Sequence, residues 1–342
     1  MARIAAEALE DQALRALRAA GASPEEAATV ARHCVAANLA GHDSHGVINV
    51  PLYIERIAKG HIVPGAPFEV LSESATTTVI DGHFGFGFVV SERAMRMTVD
   101  KAARSDVAAT TVRRQSHVGR LTDYALMAAE SGMIGIMTAD SGRTAKAVVP
   151  FGGREARLGT NPICIAMPSD LDAPFFVDIA TSAAAAGKLR VAASRGEPVP
   201  AGWLIDRNGR PTTDPGALAA GGAVLPLGGI EGHKGYGLSA MVEILSGVLT
   251  GLGFGVDPDG PHNDGVFMAA FRVGAFRPLE TFRREVAEFA AWLNATPPAA
   301  GNPRVYYPGE IEDERTRRNR AEGVEIEDGT WAALRRLAGS GT

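Results

Sequence analysis

The sequence predicts an α/β protein in which a mixed sheet, packed with helices, is enclosed by a helical domain built from both ends of the chain. Three observations predict it. Residues up to about 60 show helix periodicity and helix caps without a strand signal. Between 68 and 193, short β-type runs alternate with helical segments. Beyond Pro278 the pattern returns to helix. The expected division is 1–75 with 275–342 for the helical domain and 76–274 for the α/β domain.

Residues 4–20 form an amphipathic helix that ends at Gly21. Ser23-Pro24-Glu25-Glu26 opens a second: Ser23 caps, Pro24 suits the first helical position, and Glu26 completes a capping box. Val30, Cys34, Val35 and Leu39 make its apolar face, and Gly41 stops it. A third helix covers 50–58. Strands are expected at 68–71, 77–80, 107–112, 133–138, 163–167 and 175–179, with helices at 91–103, 122–130 and 182–193. Asn208-Gly209 marks a hairpin or tight loop. A long helix over 235–249, the glycine-rich 251–260, a strand at 265–271 and a helix at 278–293 follow. The tail is extended, then helical near 314–322 and 330–337.

Of the 342 residues 46% are hydrophobic, ample for a core, and the net charge of −5 gives no electrostatic case for nucleic acid. The basic run 315–320 lies among Glu312, Asp313, Glu314 and Glu322 and reads as a solvated helix face. Cys34 and Cys164 are far apart and form no CxxC pair, which argues against a disulfide framework or zinc ribbon. The start of the chain is polar, and no apolar run approaches the ~20 residues of a membrane span. A cytoplasmic protein is expected.

The densest polar cluster is His42-Asp43-Ser44-His45-Gly46, directly after a helix stop. Histidine exchanges protons near neutrality, and an adjacent Asp or Ser can fix its tautomer. Helix capping is the plain alternative, and a metal the third reading; the spacing matches no standard zinc signature, so no metal is expected. His117 sits in Gln115-Ser116-His117-Val118-Gly119-Arg120, a strand-to-helix junction where α/β sheets place active groups. Arg120, near a helix N-terminus, suits a phosphate or carboxylate. Asp178 could bond a ribose hydroxyl, with Thr181 or Ser182 capping the next helix. Gly235-Tyr236-Gly237-Leu238-Ser239-Ala240 fits GxGxx(G/A) but no strand precedes it, so a Rossmann site is rejected. Near Gly187-Lys188 the P-loop pattern lacks its first glycine and its Ser/Thr. His233-Lys234-Gly235 remains as a helix start able to hold an anionic phosphate.

Together these segments resemble the malate/L-lactate dehydrogenase family of NAD(P)-dependent oxidoreductases that lack a Rossmann fold. Asp43-Ser44-His45-Gly46-Val47 with Tyr53, Ser116-His117-Val118-Gly119, Leu158-Gly159-Thr160-Asn161-Pro162, Asp178-Ile179-Ala180-Thr181-Ser182, His233-Lys234-Gly235-Tyr236-Gly237 and Tyr307-Pro308-Gly309-Glu310 occur in family order. The resemblance implies a homodimer and a mixed-sheet domain that binds NAD or NADP. It implies hydride transfer between that cofactor and C2 of a 2-hydroxy or 2-oxo carboxylate. The same likeness places His117 and His45 in the site as the two candidate proton donors; His117 is the preferred donor, with His45 orienting substrate and nicotinamide and Ser44 supporting the site. Thr122, Val177, Asp178, Ile179, His233, Lys234, Asn263 and Gly309, with His45 and Arg120, line the cofactor; Asn49, Tyr53 and Arg143 face the substrate. The chain departs from the pattern in one place: Asn49 stands where many members carry arginine. Loss of that bidentate contact disfavours malate and favours a monocarboxylate, with Arg120 or Arg143 as the remaining cations. A C=N reductase within the family, and a metal-dependent hydrolase outside it, are the alternatives.

Overall fold

The computed structural model describes residues 2–140, 142–257 and 260–339. The chain opens with a short strand, β1 (Ala2–Ile4), ahead of a first helix that the periodicity starts at residue 4. It pairs antiparallel with Val324–Ile326, and that partner, distant in sequence, overrides the local preference. Helix α1 (Ala6–Ala19) and α2 (Pro24–Leu39) follow. The capping box at Ser23 is formed: Glu26 N donates to Ser23 Oγ at 3.1 Å and Ser23 N to Glu26 Oε2 at 3.0 Å. Two 3₁₀ turns, Asp43–His45 and Val47–Asn49, lead into α3 (Val50–Ala58).

The sheet begins ahead of the expected boundary at 75, because β2 (Glu69–Glu73) forms a hairpin with β3 (Thr77–Gly85). Then come α4 (Gly87–Ser105), β4 (Val107–Gln115), α5 (Thr122–Glu130), β5 (Met133–Asp140), β6 (Ile163–Met167) and β7 (Phe175–Ile179). Helix α6 (Ala186–Arg195) precedes a small sheet of β8 (Leu204–Ile205), β9 (Pro211–Thr212) and β10 (Ala223–Val224). Helix α7 (Gly232–Glu243) runs on as a π-helical turn, Ile244–Val248, and β11 (Asp264–Arg272) follows. The chain closes with α8 (Leu279–Asn294), α9 (Glu310–Glu322), β12 (Val324–Ile326) and α10 (Asp328–Leu337).

The seven-stranded sheet has the order β2-β3-β4-β11-β5-β6-β7, and only the β3–β4 pair is parallel. This is not a doubly wound nucleotide fold. Strand β11 reaches the middle of the sheet after the longest excursion, and Val266, Met268 and Ala270 are buried there on the face covered by α4. The second core joins α1–α3 to α10 through Leu9, Leu17, Val30, Cys34 and Leu334, with Phe86 and Phe88 from the start of α4. Helix α8 lies outside this bundle, its Ala290 packed with Ala173 and Tyr307 beside the sheet edge. Helix α9 crosses back to α2, where Asn319 donates to the Leu39 carbonyl. The two cores thus meet where α2, α3 and α4 converge.

Candidate active site

The turn after α2 is built around Asn38, a buried side chain. Its Oδ1 accepts from Val47 N at 2.9 Å, and its Nδ2 donates to Asp43 Oδ1 at 2.6 Å, pinning both ends of the segment. A Cβ on Gly46 would lie 2.2 Å from Asn38 Oδ1, so no larger residue fits. Ser44 Oγ sits 3.1 Å from His45 Nδ1. Asn49, expected to face substrate, donates its amide to the Ser44 carbonyl at 2.8 Å and closes the turn.

His117 leaves the sheet where the backbone is strained. Arg114 has φ +52°, and opposite it His83 and Phe84 have φ +47° and +62°, at a register shift between β3 and β4. The buried Asp81 holds this knot, lying 3.3 Å from Arg113 Nε and 3.0 Å from Arg114 Nε and accepting from His83 N. Below, a Cβ on Gly87 would meet the Ser116 carbonyl at 2.1 Å, so that backbone rests directly on α4. The result is a His117 ring stacked on His45 at 5.7 Å and met edge-on by His262 at 6.1 Å. Tyr53 OH lies 2.7 Å from His117 Nδ1.

Burial drives the electrostatics. It lowers His117 to about 3 and lowers His45 too, while it raises the Tyr53 phenol well above its usual value. His117 is therefore neutral at physiological pH. Where the protonated phenol donates to Nδ1, the ring carries its proton on Nε2; where it accepts from Nδ1–H, Nε2 is bare. Asp264 accepts from Val118 N at 3.1 Å and stands 2.7 Å from His262 Nε2, at angles that miss a hydrogen bond. Burial opposes its charge, but His262 and His117 hold its carboxyl below the usual range.

The second wall is the start of α5. Asp178 Oδ2 accepts from Leu121 N and Thr122 N, each at 2.9 Å, and from Thr122 Oγ1 at 2.7 Å. That oxygen caps the helix and is not free for a ribose hydroxyl. Arg120 donates to Asp123 Oδ1 at 2.5 Å, yet its Nε is buried with no hydrogen-bond partner among the described residues. Asn263 Oδ1, next to His262, is in the same condition. Buried unpaired groups are costly, so a donor and an acceptor in this state suit a ligand bearing anionic and amide groups, as NAD(P) does. The side chains present fit that cofactor.

Other predicted residues are placed apart from the histidine cluster. Arg143 is exposed, and its carbonyl accepts from Asp257 N. His233 and Lys234 are exposed at the start of α7; Lys234 lies 2.9 Å from Glu231, and His233 meets the edge of Phe151. Gly309, with φ +98°, presses on the Pro174 carbonyl and Phe176, in the strand that carries Val177, Asp178 and Ile179. Sequence reasoning missed Asn38, His262, Asp264 and Arg56. The last has no ion-pair partner among the described residues and acts on both Tyr53 and His117. His262-Asn263-Asp264, a polar triplet opening an apolar strand, was the available signal. Among the described residues no group of three or more His, Cys, Asp or Glu could hold a metal ion.

The family model described as malate/L-lactate dehydrogenase matches residues 4–335. Hydroxycarboxylate dehydrogenase B of Escherichia coli (strain K12) is 35% identical over 325 residues, 93% of this chain and 88% of that protein. L-sulfolactate dehydrogenase of Methanothermobacter thermautotrophicus is 38% identical over 314 residues, 89% of this chain and 87% of its own. Among solved structures, malate dehydrogenase from Entamoeba histolytica superposes with TM-score 0.92 at 31% identity, covering 98% of this chain and 97% of that one. Δ1-Piperideine-2-carboxylate reductase from Pseudomonas syringae gives TM-score 0.85 at 30% identity, covering 98% and 100%. The chain belongs to the malate/L-lactate dehydrogenase family.

Proposed function

We propose that the protein is an NAD(P)-dependent 2-hydroxycarboxylate dehydrogenase and 2-oxo acid reductase. The observation that carries the reading is the Tyr53–His117 hydrogen bond in a cluster with the His45 and His262 rings. When bound, the nicotinamide supplies or accepts the hydride exchanged with substrate C2. In reduction, His117 Nε2–H polarises the carbonyl oxygen and passes its proton as negative charge develops there, while Nδ1 takes up a solvent proton by way of the Tyr53 hydroxyl, so the ring ends neutral. Oxidation is the reverse: Nδ1–H donates to the Tyr53 oxygen, bare Nε2 takes the hydroxyl proton, and Nδ1 releases its own by way of Tyr53 to solvent. His45, stacked on His117, orients substrate and nicotinamide, and Ser44 fixes the His45 ring.

Arg120 and Asn263 are the groups offered to the cofactor, with Thr122, Val177, Asp178, Ile179 and Gly309 along the same wall and His233 and Lys234 as further candidates. The substrate is a monocarboxylate, because the side chain at 49 is an amide bonded to the turn. NADH and NADPH are both candidates; ureidoglycolate dehydrogenase (NAD(+)) of Escherichia coli O157:H7, 35% identical, bears the first in its name. No described helix is long and apolar enough to cross a membrane. A homodimer is supported by Met241, Ile244, Val248 and Leu249, which stand exposed on successive turns of α7 and its extension; sedentation-free sizing by light scattering checks it, and a monomer at micromolar concentration sinks it.

A screen of nicotinamide absorbance across 2-oxo acids, with both cofactors, tests the reading. Turnover of a monocarboxylate supports it; no turnover of any 2-oxo acid overturns it. A second reading, C=N reduction, is favoured by the fold shared with Δ1-piperideine-2-carboxylate reductase and by a His117 that resists protonation. Turnover that requires added methylamine or a cyclic imine selects it.

A further inference from the structure

His33 plays no part in the reading above, yet it is one of the most constrained side chains in the molecule. It lies in α2, 3% exposed, between two carboxylates. Its Nδ1 is 3.1 Å from Asp123 Oδ2 and its Nε2 is 3.0 Å from Glu92 Oε2. An ionised carboxylate only accepts, so two such contacts require a proton on each ring nitrogen, and hence an imidazolium. Every element packed against it contributes. From α4 come Glu92, paired also with Arg32 and Arg96, and the Phe88 ring; from α5 come Asp123 and the Tyr124 ring stacked at 5.2 Å. Arg32 and Cys34 flank it on its own helix. Although burial works against the charge, the bonds to Asp123 and Glu92 prevail and its pKa is raised.

The other oxygen of Asp123 holds Arg120, the cation whose charge reaches His45 and whose buried Nε has no hydrogen-bond partner among the described residues. The buried row thus alternates in sign: Arg120, Asp123, His33, Glu92. With His33 neutral, Asp123 would cancel Arg120. With His33 charged, Asp123 is shared between two cations, and Arg120 keeps positive potential for an incoming anion.

We propose that His33 is a positioning residue of the site, an imidazolium clamp that shares Asp123 with Arg120 and so keeps Arg120 oriented, with net positive potential, toward an anionic group, a phosphate of the cofactor or the carboxylate of the substrate. The identity of that anion rests on the function proposed above; the clamp does not. Three measurements separate the two. Without ligand, a raised folded pKa contributes stability that is complete below the unfolded value and lost as pH rises through the folded one. The wild-type melting temperature therefore falls on the alkaline side, and His33→Gln removes that fall. With ligand, dissociation constants for NADH and NADPH by nicotinamide fluorescence, and KM for the 2-oxo acid, are followed across the same range. One of them weakens about tenfold as His33 loses its proton, while kcat follows the same pH slope in wild type and His33→Gln. Weaker NADH or NADPH binding assigns the phosphate, and a rise in KM alone assigns the carboxylate. His33→Gln gives the weakened value at every pH, and His33→Lys, which keeps a cation, restores tight binding. Stability and affinity that do not change with pH, or wild-type affinity in His33→Gln, overturn the proposal; an alkaline fall in stability with no nicotinamide binding would leave the clamp standing and refute the dehydrogenase.

Discussion

Two histidines, the buried His33 and the half-buried His117, both pack against Phe88 and carry different charge states. Each is enclosed by aromatic rings and each loses water on folding. His117 meets a phenol, a second imidazole and a third, with Asp264 beyond, and burial takes it down to about 3. His33 meets two carboxylates directly, and they outweigh the same burial. Desolvation alone neutralises a buried histidine; two hydrogen-bonded carboxylates keep it ionised. One fold thereby keeps a neutral proton-exchanging ring and a fixed cation in adjoining positions.

Breaking the neutral half has the largest expected effect. His117→Ala lowers kcat by about 10²- to 10⁴-fold while NADH binding, read by fluorescence, stays measurable; near-normal turnover contradicts the assignment. Breaking the charged half comes next. Asp123→Asn leaves His33 and Arg120 facing a neutral amide and costs about 3 kcal/mol of stability in urea unfolding. A loss well under 1 kcal/mol would mean the row is not coupled. Tyr53→Phe sharpens the comparison, removing one hydrogen bond and about tenfold in kcat, and leaving stability near wild type. The smallest effect is at the shared wall: Asp178→Ala removes the α5 cap and costs about 1 kcal/mol, with little change if the cap is not formed. The pH dependence follows the same logic. His117 is already in its base form across physiological pH, so oxidative kcat/KM shows no limb from it there, whereas reduction slows as pH rises.

Local signals carried much of this into the sequence. Ser23, Pro24 and Glu26 announce α2 because a cap is made from neighbours in the chain. His45 and His117 stand out because polar residues cluster at a helix stop and a strand end. The positions of β1 and β11 were not legible: the first is a strand only because Val324–Ile326 pairs with it, and the second reaches the sheet centre through non-local burial. His33 and Asn38 look like ordinary helix residues until α4, α5 and the turn fold against them. Asn49 and Asp178 show the converse, polar residues well placed for ligands whose bonds go to the protein's own backbone.

The opposition between the two rings can be read in one experiment, ¹⁵N-edited imidazole spectra of the ligand-free protein at pH 7, assigned with His33→Gln and His117→Ala. The account predicts that His33 carries protons on both nitrogens and that His117 carries one. A doubly protonated His117, or a neutral His33, at that pH would contradict it.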